Sequence, residues 1–530
     1  MLFPGSRSLI RDLHEGCFGS WGLAWRELAD ELAGTPLVWE LTWPSGVRVR
    51  YSLGDDAPYG APEIRIIEPA DAPTRWQNVE LDGTVCLLPP GVRVMPLLHP
   101  AAVDRVLSAL AEIIRVNLED PGGGGDSVAA RHRWVEGRVH AWSLLDLDEK
   151  PDKAVAAELE ERWIIAPSAE YLDAWVRHCE RGVEYVDVLV LRVQGFDDVP
   201  SQPDEFRADA RATVERGGLV LYDVPTEGGP LLVAAALEPS GAVVRLRVDR
   251  ADRRWIHERG GRGLDPRVSG AHVTLVGCGS LGAGVAELLG RAGVGRLTLI
   301  DPEPLTWDNV ARHALGGEAV GRYKATELAR RLRAHLPTLP RVDGVPRPWQ
   351  AVATEQPDAL RTDLLVCTMA TWPGDLALAE WARDHGTSLV VGWLEPHAVA
   401  GHAVSLFGQC LGCHFTPTGM FRREVARWDE NPVRLADGCH EQYYPYGYAD
   451  VVGVQSLIAR LALECLTGQL TEPTHWAVVL SPRALSELGA RPSPETVHLY
   501  RELPPTAAWV EHRQPWPRNP KCWHCHATNR

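Results

Sequence analysis

The stretch that most constrains this chain is short: an apolar run, His272-Val-Thr-Leu-Val276, passes directly into Gly277-Cys-Gly279-Ser-Leu-Gly282 and then into a segment with Ala286, Leu288 and Leu289 at helical spacing. A strand that turns through glycines into a helix commits its surroundings to a doubly wound parallel α/β layer. The glycines allow a tight turn and close backbone approach, so phosphates can meet the helix's free N–H groups and positive dipole end. The next apolar run, Arg296-Leu-Thr-Leu-Ile300, ends in Asp301, where a carboxylate can accept hydrogen bonds from ribose hydroxyls. Gly277, Gly279, Gly282 and Asp301 are therefore candidate nucleotide-binding residues. Taken alone, they do not separate a dehydrogenase from an ATP user.

At 530 residues and 45% apolar content the chain exceeds one ordinary core, so two or three domains are expected. Residues 1–120 read as an α+β unit. It has a strand region over Val38 to Tyr51 and a helix over Ala101 to Asn117 with Val103, Val106, Leu107, Leu110, Ile113 and Ile114 at helical spacing. The run Pro121-Gly-Gly-Gly-Gly125 marks a break. Residues 121–254 read as an α/β scaffold, with a helix over Ala154 to Trp163 and strands over Val183 to Val193, Gly218 to Tyr222 and Leu231 to Leu237. The nucleotide pattern occupies residues 255–530.

Composition narrows the function. A formal charge of −16 opposes non-specific binding to nucleic acid or anionic membrane. No apolar run approaches the ~18 residues of a membrane span, and the opening MLFPGSRSLIRDLHEG lacks a signal's apolar middle. A cytoplasmic protein is expected. Its eleven cysteines, an odd number, are then reduced thiols, some of them ligands or nucleophiles.

Past Asp301 come Asp308-Asn309-Val-Ala-Arg312-His313 and Gly321-Arg-Tyr-Lys324. The succession GCGSLG, LIDPEPL, DNVARH, GRYKA resembles the adenylation domain shared by ubiquitin-activating enzymes and the bacterial sulfur-carrier activators ThiF and MoeB. That resemblance implies a Rossmann-like fold, ATP and magnesium, with Asp301 on the ribose and Asn309, Arg312 and Lys324 on the phosphates. Fixed cations suit the charge that spreads over oxygens when a carboxylate attacks the α-phosphate. The aspartate that the family places after the next strand, to hold magnesium, is replaced here by Met369 and Ala370. Asp363 and Asp375 are candidate substitutes. Arg253, Arg254 and Arg259 are candidates for reaching a phosphate across a homodimer, the usual state of this family.

Cys410-Leu-Gly-Cys413 and Cys522-Trp-His-Cys525 are two CxxC pairs, each able to place two thiolates on one tetrahedral ion. A structural zinc clamp is expected, with His414 or His526 as alternatives for one cysteine. Relatives of ThiF carry such clamps.

Two cysteines are candidate nucleophiles. Cys439 lies in a polar, Gly-containing segment, Leu-Ala-Asp-Gly438-Cys439-His440, and resembles the thioester cysteine of the activating family; His440 is a candidate for raising its thiolate fraction. Cys86 ends Trp76-Gln-Asn78-Val-Glu-Leu-Asp-Gly83-Thr-Val-Cys86, which is similar to the active segment of ubiquitin-conjugating enzymes, although Trp76-Gln77 stands where that family has His-Pro. There the residue matching Asn78 stabilises the oxyanion.

Together the resemblances imply a bacterial fusion of a ubiquitin-conjugating-like fold with a ThiF-like adenylation domain, as in antiphage CBASS and related ubiquitin-like operons. Such a transferase activates the C-terminal glycine of a cGAS-like nucleotidyltransferase or ubiquitin-like protein. It then relays that carboxylate through Cys439 and Cys86 to a target amine. The competing readings are a sulfur-carrier adenylyltransferase, which would not need Cys86, a non-catalytic scaffold that binds a partner's C-terminus, and a nicotinamide oxidoreductase, for which no hydride-transfer site is visible.

Overall fold

The computed structural model describes residues 4–28, 37–53, 62–70, 72, 76, 79, 83–85, 97, 99–119, 140–159, 162–176, 184–195, 198–200, 202–225, 231–238, 240–258, 264–336, 339, 341–418, 420–430, 432, 434–435, 442–443, 445–500 and 509–527. The chain divides into two compact units, Met1–Ala251 and Asp252–Arg530.

The first unit opens with helix α1 (Pro4–Ser20) and an antiparallel meander of β1 (Ala24–Glu27), β2 (Leu37–Thr42), β3 (Arg48–Leu53) and β4 (Glu63–Glu68). Helix α2 (Pro100–Glu119) follows. β3 buries Val49, Tyr51 and Leu53 and leaves the intervening side chains half-buried, the period-two signature of a sheet covered on one face. The cover is α1 and α2, whose Ile10, Phe18, Val103, Val106, Leu107, Leu110 and Ile114 share a core with Trp39 and Tyr51. The single strand region expected over Val38 to Tyr51 is two strands. Gly46 turns the chain at φ +85°, and its N–H closes on the carbonyl of Trp43 at 2.9 Å.

Residues 140–250 form a closed seven-stranded barrel of β5 (His140–Ser143), β6 (Lys153–Leu159), β7 (Arg162–Ala166), β8 (Tyr185–Arg192), β9 (Leu219–Val224), β10 (Leu231–Leu237) and β11 (Val243–Arg250). This corrects the helix expected over Ala154 to Trp163. Alanine and glutamate favour helix locally, but β6 pairs antiparallel with both β7 and β8. Its Ala154 and Ala156 lie in a core with Ala141, Ala234, Leu221 and Leu246. A small barrel needs small side chains among the large ones facing inward, so tertiary packing overrides propensity.

The second unit is built on one eight-stranded sheet. Its strands are β12 (His272–Val276), β13 (Arg296–Ile300), β14 (Arg341–Val345), β15 (Leu364–Cys367), β16 (Leu389–Leu394), β17 (Ala400–Ser405), β18 (Thr474–Leu480) and β19 (Trp509–Pro515), in the order 14-13-12-15-16-17-18-19. The first five are parallel and the last three antiparallel. β12 and β13 are buried almost end to end, as strands covered on both faces must be. The cover near the glycine turn is α3 (Ser280–Arg291) and α4 (Tyr448–Leu466). They approach so closely that a Cβ on Gly284 would lie 2.1 Å from the side chain of Gln455. Among the described residues no helix is long and apolar enough to cross a membrane.

Candidate functional site

The turn between β12 and α3 shows why it needs glycine at two of its three positions. Gly277 has φ +95°, and a Cβ there would fall 2.8 Å from the backbone of Thr368 and Met369. At Gly282 a Cβ would lie 1.9 Å from the Gly277 carbonyl oxygen, whereas at Gly279 it would meet nothing within 4 Å. Gly279 has ordinary extended dihedrals and caps α3. Its missing side chain leaves room for a ligand rather than for protein.

That room is real. A cavity of about 500 Å³ is lined by Gly279 and Ser280 beyond β12, by Thr368 beyond the neighbouring β15 and by Trp393 and Glu395 at the end of β16, the next strand over, with Asn309, Arg312, Trp372, Phe421, Glu424 and Tyr446 completing the wall. The Arg312 guanidinium sits 5.0 Å from the Tyr446 ring centre, and Tyr446 Oη lies 2.9 Å from Ser280 Oγ. Stacking on an aromatic face positions a guanidinium while leaving its N–H fork for an anion.

Asp301 supports the turn from below. Its Oδ2 accepts from Cys278 N at 2.7 Å and its Oδ1 from Glu303 N at 2.8 Å, leaving further acceptor positions for hydroxyls. Burial pushes its pKa up, against those two N–H donors and nearby Lys324. His313 ties the Asn309 loop to the same turn: its Nδ1 accepts from Leu315 N at 3.0 Å, so Nε2 carries the proton and donates to Cys278 O at 2.7 Å. Burial lowers the pKa of His313, which keeps the ring neutral. Asn309 forms a capping box with Thr306 at the start of a short helix, Trp307–Val310, and reaches the cavity.

Other candidate residues lie away from the lining of this cavity. Lys324 does not line the cavity; it is buried and bonds Glu303 Oε2 at 2.7 Å. Asp363 precedes β15 and accepts from His272 N at 2.8 Å, so it lies at the opposite end of the strands from the glycine turn. Asp375 is buried beside Cys367, whose thiol donates to Oδ1 at 3.1 Å, and burial raises its pKa to about 6. Neither aspartate reaches the cavity, so the described residues present no magnesium ligand at the positions expected. Arg253 is spent within its own unit on the carbonyls of Ser269 and Gly293, and Arg254 pairs with Glu258. Arg259 lies outside the described residues, as do Asn78, Cys86, Cys439 and His440.

Cys410, Cys413, Cys522 and Cys525 converge, all buried, with every sulfur within 4.8 Å of the others. The 410–522 and 413–525 pairs are both 4.0 Å apart. Four sulfurs at about 2.3 Å from a tetrahedral zinc stand about 3.8 Å from one another, so the set fits that ion. His414 is not part of it; its ring bonds Pro517 O at 2.9 Å. His524, which sequence reasoning did not single out, places Nδ1 3.3 Å from Cys410 Sγ, where an N–H would stabilise a bound thiolate. Asn519 and Trp523 donate to the carbonyls of Cys413 and Phe415, fixing the second pair against the first.

The sequence also gave no notice of Glu395, Glu424, Trp393 or Tyr446 as cavity residues. A single buried glutamate following an all-apolar strand, Leu389-Val-Val-Gly-Trp-Leu394, was the available signal for Glu395.

Comparison with known proteins matches residues 256–486 to the ThiF family, so a ThiF-type adenylation domain occupies this part of the chain. The chain is 27% identical over 242 residues to the ATP-dependent ubiquitin transferase-like protein Cap2 of Pseudomonas aeruginosa, covering 43% of this chain and 42% of that protein. It is 42% identical over 99 residues to the adenylyltransferase and sulfurtransferase MOCS3 of Mus musculus, covering 18% and 21%. The crystal structure of Escherichia coli MccB with MccA-N7isoASN aligns at a TM-score of 0.34 and 15% identity, over 49% of this chain and 68% of that one. The chain spans less than half the length of the curated relatives it matches.

Proposed function

We propose that the chain activates the C-terminal carboxylate of a protein with ATP and passes the acyl group to an amine. The observation that carries this reading is the cavity that joins the open face of Gly279 to the stacked Arg312 and to Asn309. It offers N–H groups and a cation to phosphates, and its lining continues through the rings of Trp372, Trp393 and Phe421 beside the carboxylates of Glu395 and Glu424. In the proposed reaction a carboxylate oxygen attacks the α-phosphorus, pyrophosphate leaves, and an acyl-adenylate remains. The fixed cation stabilises the charge that develops. The thiolate of Cys439 then displaces AMP, the thiolate of Cys86 takes the acyl group from Cys439, and an amine takes it from Cys86 with Asn78 at the oxyanion. The likeness to Cap2 supports a ubiquitin-transferase-like activity and a role in antiphage defence. The acyl donor is then a cGAS-like nucleotidyltransferase or a ubiquitin-like protein, and a homodimer is the working form.

A second reading, sulfur-carrier adenylation, is favoured by the likeness to MOCS3 and would dispense with Cys86. Intact-mass spectrometry under non-reducing conditions separates the two. After incubation with ATP and a protein encoded beside this one, reductant-sensitive adducts on Cys439 and Cys86 are expected. An adenylate alone would favour sulfur-carrier chemistry. Absence of both the adduct and ATP–pyrophosphate exchange would refute adenylation.

A further inference from the structure

Glu395 ends the apolar run of β16 and lines the cavity, yet it is only 6% exposed. Its Oε1 accepts from Val425 N at 2.7 Å and from His402 Nε2 at 3.0 Å, and its Oε2 accepts from Ala426 N at 3.2 Å. Behind it, His402 Nδ1 lies 3.0 Å from His475 Nε2, and His475 Nδ1 lies 3.2 Å from Gln514 Nε2. The proton positions along this line follow from its far end. The Gln514 amide donates to His475 Nδ1, so His475 carries its proton on Nε2 and donates to His402 Nδ1. His402 in turn carries its proton on Nε2, facing Glu395. Burial keeps His475 neutral, with its pKa far below the ordinary value. Every donor in the line points towards the carboxylate.

A carboxylate removed from water is costly unless a counter-charge meets it. Among the described residues no arginine or lysine lies within ion-pair distance of Glu395. Its neighbour on the wall, Glu424, adds a second carboxylate and is itself paired with Arg427 at 3.0 Å. For Arg312 the reverse holds: it stacks on Tyr446 with no carboxylate partner among the described residues. One cavity thus holds a cation with no carboxylate partner and a rigidly held carboxylate with no arginine or lysine partner among the described residues. Three donors occupy three of the carboxylate's roughly four acceptor positions, which leaves one for an incoming group.

We propose that Glu395 receives a lysine or arginine side chain of the substrate polypeptide, a few residues before the carboxylate that is activated beside Arg312. His402, His475 and Gln514 are positioning residues that hold the Glu395 carboxylate in place. The inference rests on the reading of the cavity as a carboxylate-activating site. It adds a selection rule: chains with a basic residue near the C-terminus are taken, and chains with an acidic residue there are refused.

The test is ATP–pyrophosphate exchange by the full chain with alanine hexapeptides ending in glycine, carrying one lysine, no charge, or one aspartate at positions two to five from the carboxylate. A KM at least tenfold lower for the lysine set than for the aspartate set, at similar kcat, is expected of the unmodified protein and requires no variant. Glu395→Gln should bring the ratio of the lysine-set and aspartate-set KM values to about one, whatever it does to the exchange rate itself. His402→Asn should weaken the preference without abolishing exchange. Equal KM values for the lysine and aspartate sets would overturn the proposal and leave adenylation standing. A Glu395→Gln protein that keeps its preference but needs more magnesium would also overturn it, by assigning the carboxylate to a metal. If no peptide and no intact neighbouring protein supports exchange, carboxylate activation fails and the selection rule falls with it.

Discussion

Substituting alanine at two glycines three residues apart should produce opposite failures. At Gly282 the new Cβ would stand 1.9 Å from the Gly277 carbonyl oxygen and 2.6 Å from Thr368 Oγ1, and the first of these is backbone that no rotamer change can move. Overpacking of this kind costs about 1–3 kcal/mol or more, and the helix propensity of alanine returns only about 1 kcal/mol. A backbone contact this short belongs at the upper end, so a net loss of about 2–3 kcal/mol is expected. For a domain of this size that lowers the melting temperature by roughly 5–10 °C. At Gly279 the Cβ meets nothing within 4 Å and φ is −73°, so alanine is tolerated. The weaker N-cap and the stiffer unfolded chain each amount to about 0.5 kcal/mol and oppose one another. The methyl group instead enters the cavity over the start of α3, and the affinity for ATP should fall about tenfold or more, which is 1.4 kcal/mol. Thermal melts with and without ATP distinguish the cases: Gly282→Ala melts low, whereas Gly279→Ala melts with the parent but loses the ATP-induced shift. A Gly279→Ala protein that is destabilised, or that binds ATP as well as the parent, would refute the assignment of that open space to a ligand.

His313→Ala should leave Cys278 O and Leu315 N without their partner, at a cost of about 1–3 kcal/mol for each group that stays dry, and urea unfolding of the second unit will show it. Asp375 has a folded pKa of about 6, above its unfolded value near 4. Its contribution is therefore full below pH 4, is lost as pH rises to 6 and is flat above. Asp375→Asn should flatten that segment of the stability–pH curve and raise stability at pH 7.5, by at most about 3 kcal/mol; a pH series of melts with an unchanged slope would count against it. Cys522→Ser and Cys410→Ser should both lose one equivalent of bound zinc by elemental analysis and melt at the same lowered temperature. Serines that retain the metal would remove the clamp from the account.

The strand–turn–helix at the glycines, the place of Asp301 beside it and the meeting of the four cysteines were legible because each sits in a local pattern whose spacing dictates the geometry. Asp363 misled for a reason proximity in sequence cannot reveal. Strand β15 is four residues long, so about 13 Å separates its entry from the cavity end. The barrel was hidden by Ala-Val-Ala-Ala-Glu, which reads as helix until β7 and β8 compete for its hydrogen bonds. Glu395, His402, His475 and Gln514 escaped because they come from four separate strands or strand ends. Each is a lone polar residue in its own segment, and only the sheet register brings them into line. Cys86 and Cys439 remain sequence proposals, since both lie outside the described residues.

The four-sulfur clasp has a consequence for how the second unit holds together as conditions change. It joins positions 112 residues apart, so closing it confines a loop whose freedom in the unfolded chain is worth about 4–5 kcal/mol in the chain-entropy picture. A disulfide would make that confinement permanent. A metal on the same sulfurs would make it reversible, and the unit's stability would then follow the free metal around it, falling by about 1.4 kcal/mol for each tenfold depletion until the site empties. Strand β19, which carries Gln514, leads directly into Asn519 and Cys522, so metal scarcity would be felt first at the strand that aligns the wall of the cavity.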